Sequence, residues 1–245
     1  MVLERSDPAA VQYRPTPATA RAVLARLFRW YLALCLVLVP LGLAVTRLAV
    51  TEPLRNADEA FSERLAGARS GGWNALTAVI TGSTDTLWAI VTAAVLSAAI
   101  WLRWRSRLWT VLPLGLALEL SVFLTVSYAV GRERPAVPKL GHEPSTFSFP
   151  SGHAAAATVI WLGLALVLHE QRATPWLRVP IGVVAVVLPA GVAVGRVYRG
   201  MHYTLDVVGG VAMGAAVVLF VVRMLRTLPM QAVEPEDAAP AQSGC

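Results

Sequence analysis

Apolar residues in this chain gather into long runs instead of narrow stripes. Stretches at about 27–50, 86–102, 108–130, 152–168, 176–195 and 202–222 are almost continuously hydrophobic. Each has about the 17–25 residues that a helix needs to cross the hydrocarbon of a bilayer. The runs therefore predict six membrane spans. Residues 53–69 break the pattern, with Leu54, Ala57, Phe61 and Leu65 recurring at spacings of three or four among charged neighbours. That periodicity predicts an amphipathic helix lying on a membrane face. Gly71-Gly72 ends it, and a short apolar stretch, 73–81, leads through Gly82-Ser83 into the second span. The expected fold is an all-α polytopic membrane protein with six transmembrane helices and a short amphipathic surface helix.

The first run is too long for a signal-peptide core and has no small-residue cleavage site after it, so it reads as an uncleaved anchor. Residues 1–26, polar and Pro/Ala-rich, are expected to form a cytoplasmic N-terminal tail, and 27–225 the six-span domain. Residues 226–245 are expected to form a disordered tail, because a Pro/Ala/Glu composition cannot bury enough apolar surface to order itself.

Composition agrees. The chain is 56% hydrophobic and 15% charged, against about 25% charged in soluble domains. Its net charge of +6 rests on arginine, Lys139 being the only lysine. The basic residues punctuate the apolar runs instead of collecting on one soluble face, which excludes nucleic acid as a partner. Six spans put both termini on one side, and 12 of the 21 basic residues fall there. The positive-inside rule then places the termini in the cytoplasm and the opposite loops outside, with the plasma (inner) membrane as the expected location. Cys35 and Cys245 give neither a disulfide framework nor metal-ligand spacing.

This topology brings loop 131–151, turn 196–202 and the surface helix to the same outer end. Pro150-Ser151-Gly152-His153 stands directly before a span, where free backbone N–H groups and the helix dipole favour an anion. Ser151 can supply a hydroxyl or cap the helix. Arg132 and Arg134 precede it in Gly131-Arg132-Glu133-Arg134-Pro135, and guanidinium groups bind phosphate bidentately. In the last motif Arg196 is followed by His202 and Asp206. Placed four apart on the sixth helix, the latter two share a face. Asp206 could then bond one imidazole nitrogen and leave the other free to attack.

Taken in order, Arg134-Pro135, Pro150-Ser151-Gly152-His153, and Arg196 with His202 and Asp206 resemble the three-part signature of the type 2 phosphatidic acid phosphatase superfamily. The six-span layout is similar to its membrane lipid phosphatase branch, over roughly residues 27–225. The resemblance implies that His202 is the nucleophile that forms a phosphohistidine, with Asp206 orienting it. His153 would protonate the leaving alkoxide and then activate water. Arg134, Arg196, Ser151 and the Gly152 amide would hold the phosphoryl oxygens. No metal and no cofactor is implied. The implied partner is a membrane lipid phosphate or diphosphate, such as phosphatidic acid, phosphatidylglycerol phosphate or a polyprenyl diphosphate. Two positions depart from the pattern: Ser127 stands where the family has a lysine, and Gly195 stands where it usually has serine. A lipid phosphotransferase, or a lipid-binding protein with an impaired site, remains the alternative to a hydrolase.

Outside the motifs, Glu119 lies inside the third span, and an acid at that depth points to function, to a bond with a neighbouring helix or to a place near a water-filled crevice. Asp85, at the entrance of the second span, is expected to cap it. Arg132 and Lys139 are expected to be loop charges, and His169 to belong to a cytoplasmic turn.

Overall fold

The computed structural model describes residues 17–48 and 51–228. They form eight α-helices: α1 (Pro17–Arg47), α2 (Glu52–Gly67), α3 (Gly71–Gly82), α4 (Thr86–Trp104), α5 (Val111–Val130), α6 (Gly152–Glu170), α7 (Pro175–Tyr198) and α8 (Thr204–Thr227), with a 3-10 turn at Arg107–Thr110 before α5. Six helical stretches are long and apolar enough to cross a membrane: Ala20–Arg47, Thr86–Trp104, Arg107–Val130, Gly152–Glu170, Pro175–Tyr198 and Thr204–Thr227.

The expected tail at 1–26 is shorter than the sequence pattern indicated, because α1 already starts at Pro17. Alanine, leucine and arginine are strong helix formers and extend the helix beyond its apolar run. Arg26 then donates to the Thr227 hydroxyl at 3.1 Å, tying the start of α1 to the end of α8. The rest of the expected N-terminal tail, residues 1–16, and the tail from 229 onward lie outside the described residues. The stretch at 73–81 is a helix of its own, α3, packed against α7.

Hydrophobic residues cover both the inside and the outside of the bundle. Val122, Val126, Val159, Val217 and Val221 are fully buried where α5, α6 and α8 meet. Leu36 is 77% exposed and Trp176 91% exposed on outward faces, the pattern of helices whose solvent is lipid.

Two glycines set how closely α8 approaches α6. A Cβ on Gly210 would collide with the Ser151 carbonyl, and one on Gly214 would lie 2.6 Å from the Ala155 carbonyl. Small residues at four-residue spacing let membrane helices touch backbone to backbone. The start of α6 is thereby fixed against the first turns of α8, and Ser151 N donates to Asp206 O at 2.9 Å. The starts of α4, α6 and α8 and the ends of α5 and α7 gather at one end, with α2 laid across them. α2 is amphipathic as its spacing predicts: Phe61 and Leu54 face outward, whereas Asp58 and Ser62 are buried against the loops.

Candidate active site

The loop after α5 is built around a buried arginine. Gly131, at φ +63°, ends the helix in the left-handed conformation that a non-glycine residue avoids. Arg132 then turns inward. Its guanidinium donates to Asp206 Oδ1 at 2.5 Å, lies 3.6 Å from Asp58 Oδ2 and stacks 4.3 Å from the Tyr203 ring centroid. It is therefore not a loop charge. Two buried carboxylates surround it, and a buried ion demands such pairing. Asp58 also accepts from Thr204 N at 2.8 Å, capping α8 from a different helix. Tyr203 hydrogen-bonds Glu59 of α2 through its hydroxyl. Burial, reinforced by Glu59, raises the pKa of that hydroxyl, so it stays a donor. Lys139, as expected, pairs only within its loop, 3.7 Å from Glu143.

Asp206 is fully buried and saturated. Besides Arg132 it accepts from the Ser148 hydroxyl at 2.5 Å and from Tyr203 N at 2.9 Å. His202 is not its hydrogen-bond partner: the imidazole Nδ1 is 3.9 Å from Asp206 Oδ2 but 2.7 Å from the Ser148 carbonyl. The expected direct bond between positions 202 and 206 does not form because α8 begins at Thr204, two residues later than the apolar run suggested. Tyr203 is its N-cap, so His202 belongs to the preceding turn, entered through Gly200 at φ +73°. Asp206 still acts on His202, but through Ser148, whose hydroxyl it holds and whose carbonyl holds the ring. A carbonyl only accepts, so Nδ1 carries the proton and Nε2 presents its lone pair.

Nε2 faces a cavity of about 300 Å³ at the mouth of the bundle, whose walls include Arg134, Gly152, His153, Arg196 and His202. Burial lowers the His202 pKa to about 3, with Arg196 and Arg134 adding to the effect and Asp206 opposing it. The ring is thus neutral at physiological pH. Arg134 lies 3.3 Å from Nε2 and is braced by the carbonyls of Met201 and Thr146. Burial lowers its pKa, against the pull of Glu143 and Asp206, but a guanidinium remains charged at neutral pH. Arg196 is 5% exposed, and its Nε and Nη2 have no hydrogen-bond partner among the described residues.

His153 stands in the first turn of α6, and its Nε2 is 3.0 Å from Asp85 Oδ1. Asp85 does not cap α4 with its side chain as expected; its carboxylate reaches across to the histidine. Ser151 makes no side-chain cap either. Its hydroxyl is buried with no partner among the described residues, and its Cβ lies against α8 at Gly210. Gly152 lines the cavity, where a Cβ would sit 3.2 Å from the Phe123 ring. Ser127 is fully buried, and its hydroxyl accepts from Phe147 N at 3.0 Å, holding the loop that carries Ser148.

This order of arginines, histidines and buried aspartate lies within residues 110–229, which match the PAP2 superfamily model. Residues 110–229 form a PAP2 superfamily domain. Asp85 and the acidic face of α2 lie outside that PAP2 match yet reach into the same site. The chain is 34% identical over 125 residues to a decaprenylphosphoryl-5-phosphoribose phosphatase of Mycobacterium tuberculosis, which covers 50% of this chain and 64% of that protein. It is 30% identical over 92 residues to an undecaprenyl-diphosphatase of Sulfolobus acidocaldarius, covering 38% and 40%. The matched part thus spans less than two thirds of either relative. The fold is similar to the crystal structure of a transmembrane PAP2-type phosphatidylglycerolphosphate phosphatase from Bacillus subtilis, with a TM-score of 0.69 and 24% identity over 81% of this chain and 97% of that one. The chain is an integral membrane protein carrying a PAP2 domain.

Proposed function

We propose that this protein hydrolyses a lipid phosphate or diphosphate through a phosphohistidine on His202, with the site on the extracytoplasmic side. The observation that carries the reading is Arg196: a buried guanidinium with two unpaired nitrogens, in the cavity that His202 Nε2 faces. An unpaired buried cation is costly, and a phosphoryl group would satisfy it.

In this reading Arg134, Arg196 and the amides at the start of α6 hold the non-bridging oxygens, where positive charge most lowers the barrier. The neutral Nε2 attacks phosphorus while the bond to the leaving oxygen breaks. In its imidazolium form His153 keeps one N–H on Asp85 and gives the leaving oxygen the proton of its other nitrogen. The same histidine then takes a proton from water, whose oxygen attacks the phosphohistidine. Phosphate departs and His202 regains its lone pair. The Ser148 carbonyl stabilises the Nδ1 proton throughout, and Asp206 positions that carbonyl through the Ser148 hydroxyl.

The lipid tail has a place to lie. An apolar crevice of about 620 Å³ between α4 and α5 shares Ile90, Leu116 and Leu120 with the site cavity. The substrate classes named for the relatives, prenyl and glycerol lipids, both join a phosphate to such a tail. The deciding experiment measures phosphate release from a panel of these lipids with a chelator present. Wild type is expected to turn over and His202→Ala to lose activity by at least about 10³-fold. Equal rates in the two proteins would sink the reading.

A further inference from the structure

Glu119 takes no part in the chemistry just described, yet it borders the same cavity. It is 4% exposed, and its Oε1 has no hydrogen-bond partner among the described residues. The expected bond to a neighbouring helix is missing for that oxygen. The other walls near it, Leu116, Leu120, Phe123 and Ala156, are apolar.

The depth of this carboxyl is set by its helix. The Phe123 ring touches the position a Gly152 Cβ would take, so Phe123 marks the level of the phosphate-binding turn. Glu119 precedes it by four residues on α5, which is about 6 Å farther from the loop end at 1.5 Å per residue. A substrate whose phosphate meets Arg134 and Arg196, and whose tail enters the crevice, passes its first carbons by Glu119.

A carboxylate there needs a donor, and a carboxylic acid needs an acceptor for its proton. A hydroxyl meets either need, whereas a plain alkyl or isoprenoid segment meets neither and leaves the carboxyl unsatisfied. We propose that Glu119 is a hydroxyl-binding subsite that selects phosphate esters bearing a free hydroxyl on the carbon next to the ester carbon. This rests on the phosphatase reading above and narrows its substrate class to phosphorylated polyols attached to a lipid.

The test uses a matched pair of probes, oleoyl lysophosphatidic acid and oleoyloxypropyl phosphate, which differ by one hydroxyl. Wild type is expected to favour the hydroxylated lipid by about tenfold in kcat/KM, the factor that one hydrogen bond in a dry pocket supplies. Glu119→Leu should erase the preference by slowing the hydroxylated substrate alone. Glu119→Gln, which keeps a donor and an acceptor, should preserve most of it. A wild type indifferent to the hydroxyl, or a Glu119→Leu variant that slows both probes alike, overturns the subsite. The same pair is also compared by thermal stabilisation of His202→Ala protein in detergent, with and without Glu119→Leu. Stronger stabilisation by the hydroxylated lipid that requires Glu119 supports the subsite even if wild type releases no phosphate, an outcome in which only the hydrolase reading falls. Equal stabilisation by both lipids overturns the subsite.

Discussion

Asp85 and His153, which are 68 residues apart, meet at 3.0 Å across the cavity mouth. One stands at the entrance of α4 and the other in the first turn of α6, so the pair joins two helices that otherwise pack lightly. A carboxylate on one imidazole nitrogen fixes the ring and its tautomer. Asp85→Asn should lower kcat on an alkyl phosphate by about tenfold, a part of what a general acid contributes. Nitrophenyl phosphate, whose leaving group departs without a proton, should be much less affected. An equal loss on both substrates would reduce Asp85 to a structural contact.

His202 should remain neutral far below the pH at which an ordinary imidazole, near 6.5, takes up a proton. With the folded value at about 3, nitrogen NMR of labelled protein should find Nδ1 protonated and Nε2 bare at pH 5. A midpoint between pH 6 and 7 for this ring would contradict the burial argument. The sign for stability follows. Between about 6.5 and 3 the unfolded chain binds a proton that the native ring refuses, so stability falls as pH drops through that window. His202→Gln should lessen that fall in the thermal midpoint.

Arg132 holds Asp206 and Asp58 together, and removing it strands two buried carboxylates. Arg132→Met should cost about 3–5 kcal/mol of stability, the typical loss on breaking a buried pair. A drop in thermal midpoint is the readout. An unchanged midpoint would place Arg132 among dispensable loop charges.

Ser127→Ala removes the acceptor for Phe147 N, one residue before the carbonyl that steadies His202. A lost hydrogen bond of about 1 kcal/mol should slow turnover roughly fivefold with KM nearly unchanged. Faster exchange of the His202 Nδ1 proton should accompany it. A rise in KM alone would point to lipid binding instead.

The six spans were legible because a bilayer demands long apolar runs, and their ends brought the motifs together by topology alone. What stayed hidden has particular causes. The bond from His202 goes to the Ser148 carbonyl, and a main-chain oxygen leaves no mark in a sequence. Spacing of 202 and 206 implied a shared helical face, but Tyr203 begins α8 after His202 and removes the histidine from it. Arg132 and Asp85 resembled a loop charge and a cap because their partners, Asp206 and His153, are distant in the chain. The apolar stripe of α2 was visible as periodicity, whereas its acidic face and the targets of that face, Thr204 N and Tyr203, were not.

Gly210 and Gly214 give the molecule two mechanical halves. Where α8 rests backbone to backbone on α6, His202 just before one helix and His153 in the first turn of the other share one stiff block. α4 packs more lightly on its neighbours, beside an open crevice. Bilayer stress and tails of different girth can therefore be taken up by the soft half, and the spacing of the two histidines stays constant. On the proposed reading, tolerance toward the hydrophobic cargo and exactness at phosphorus are then separate properties, assigned to different helices and open to independent change during evolution.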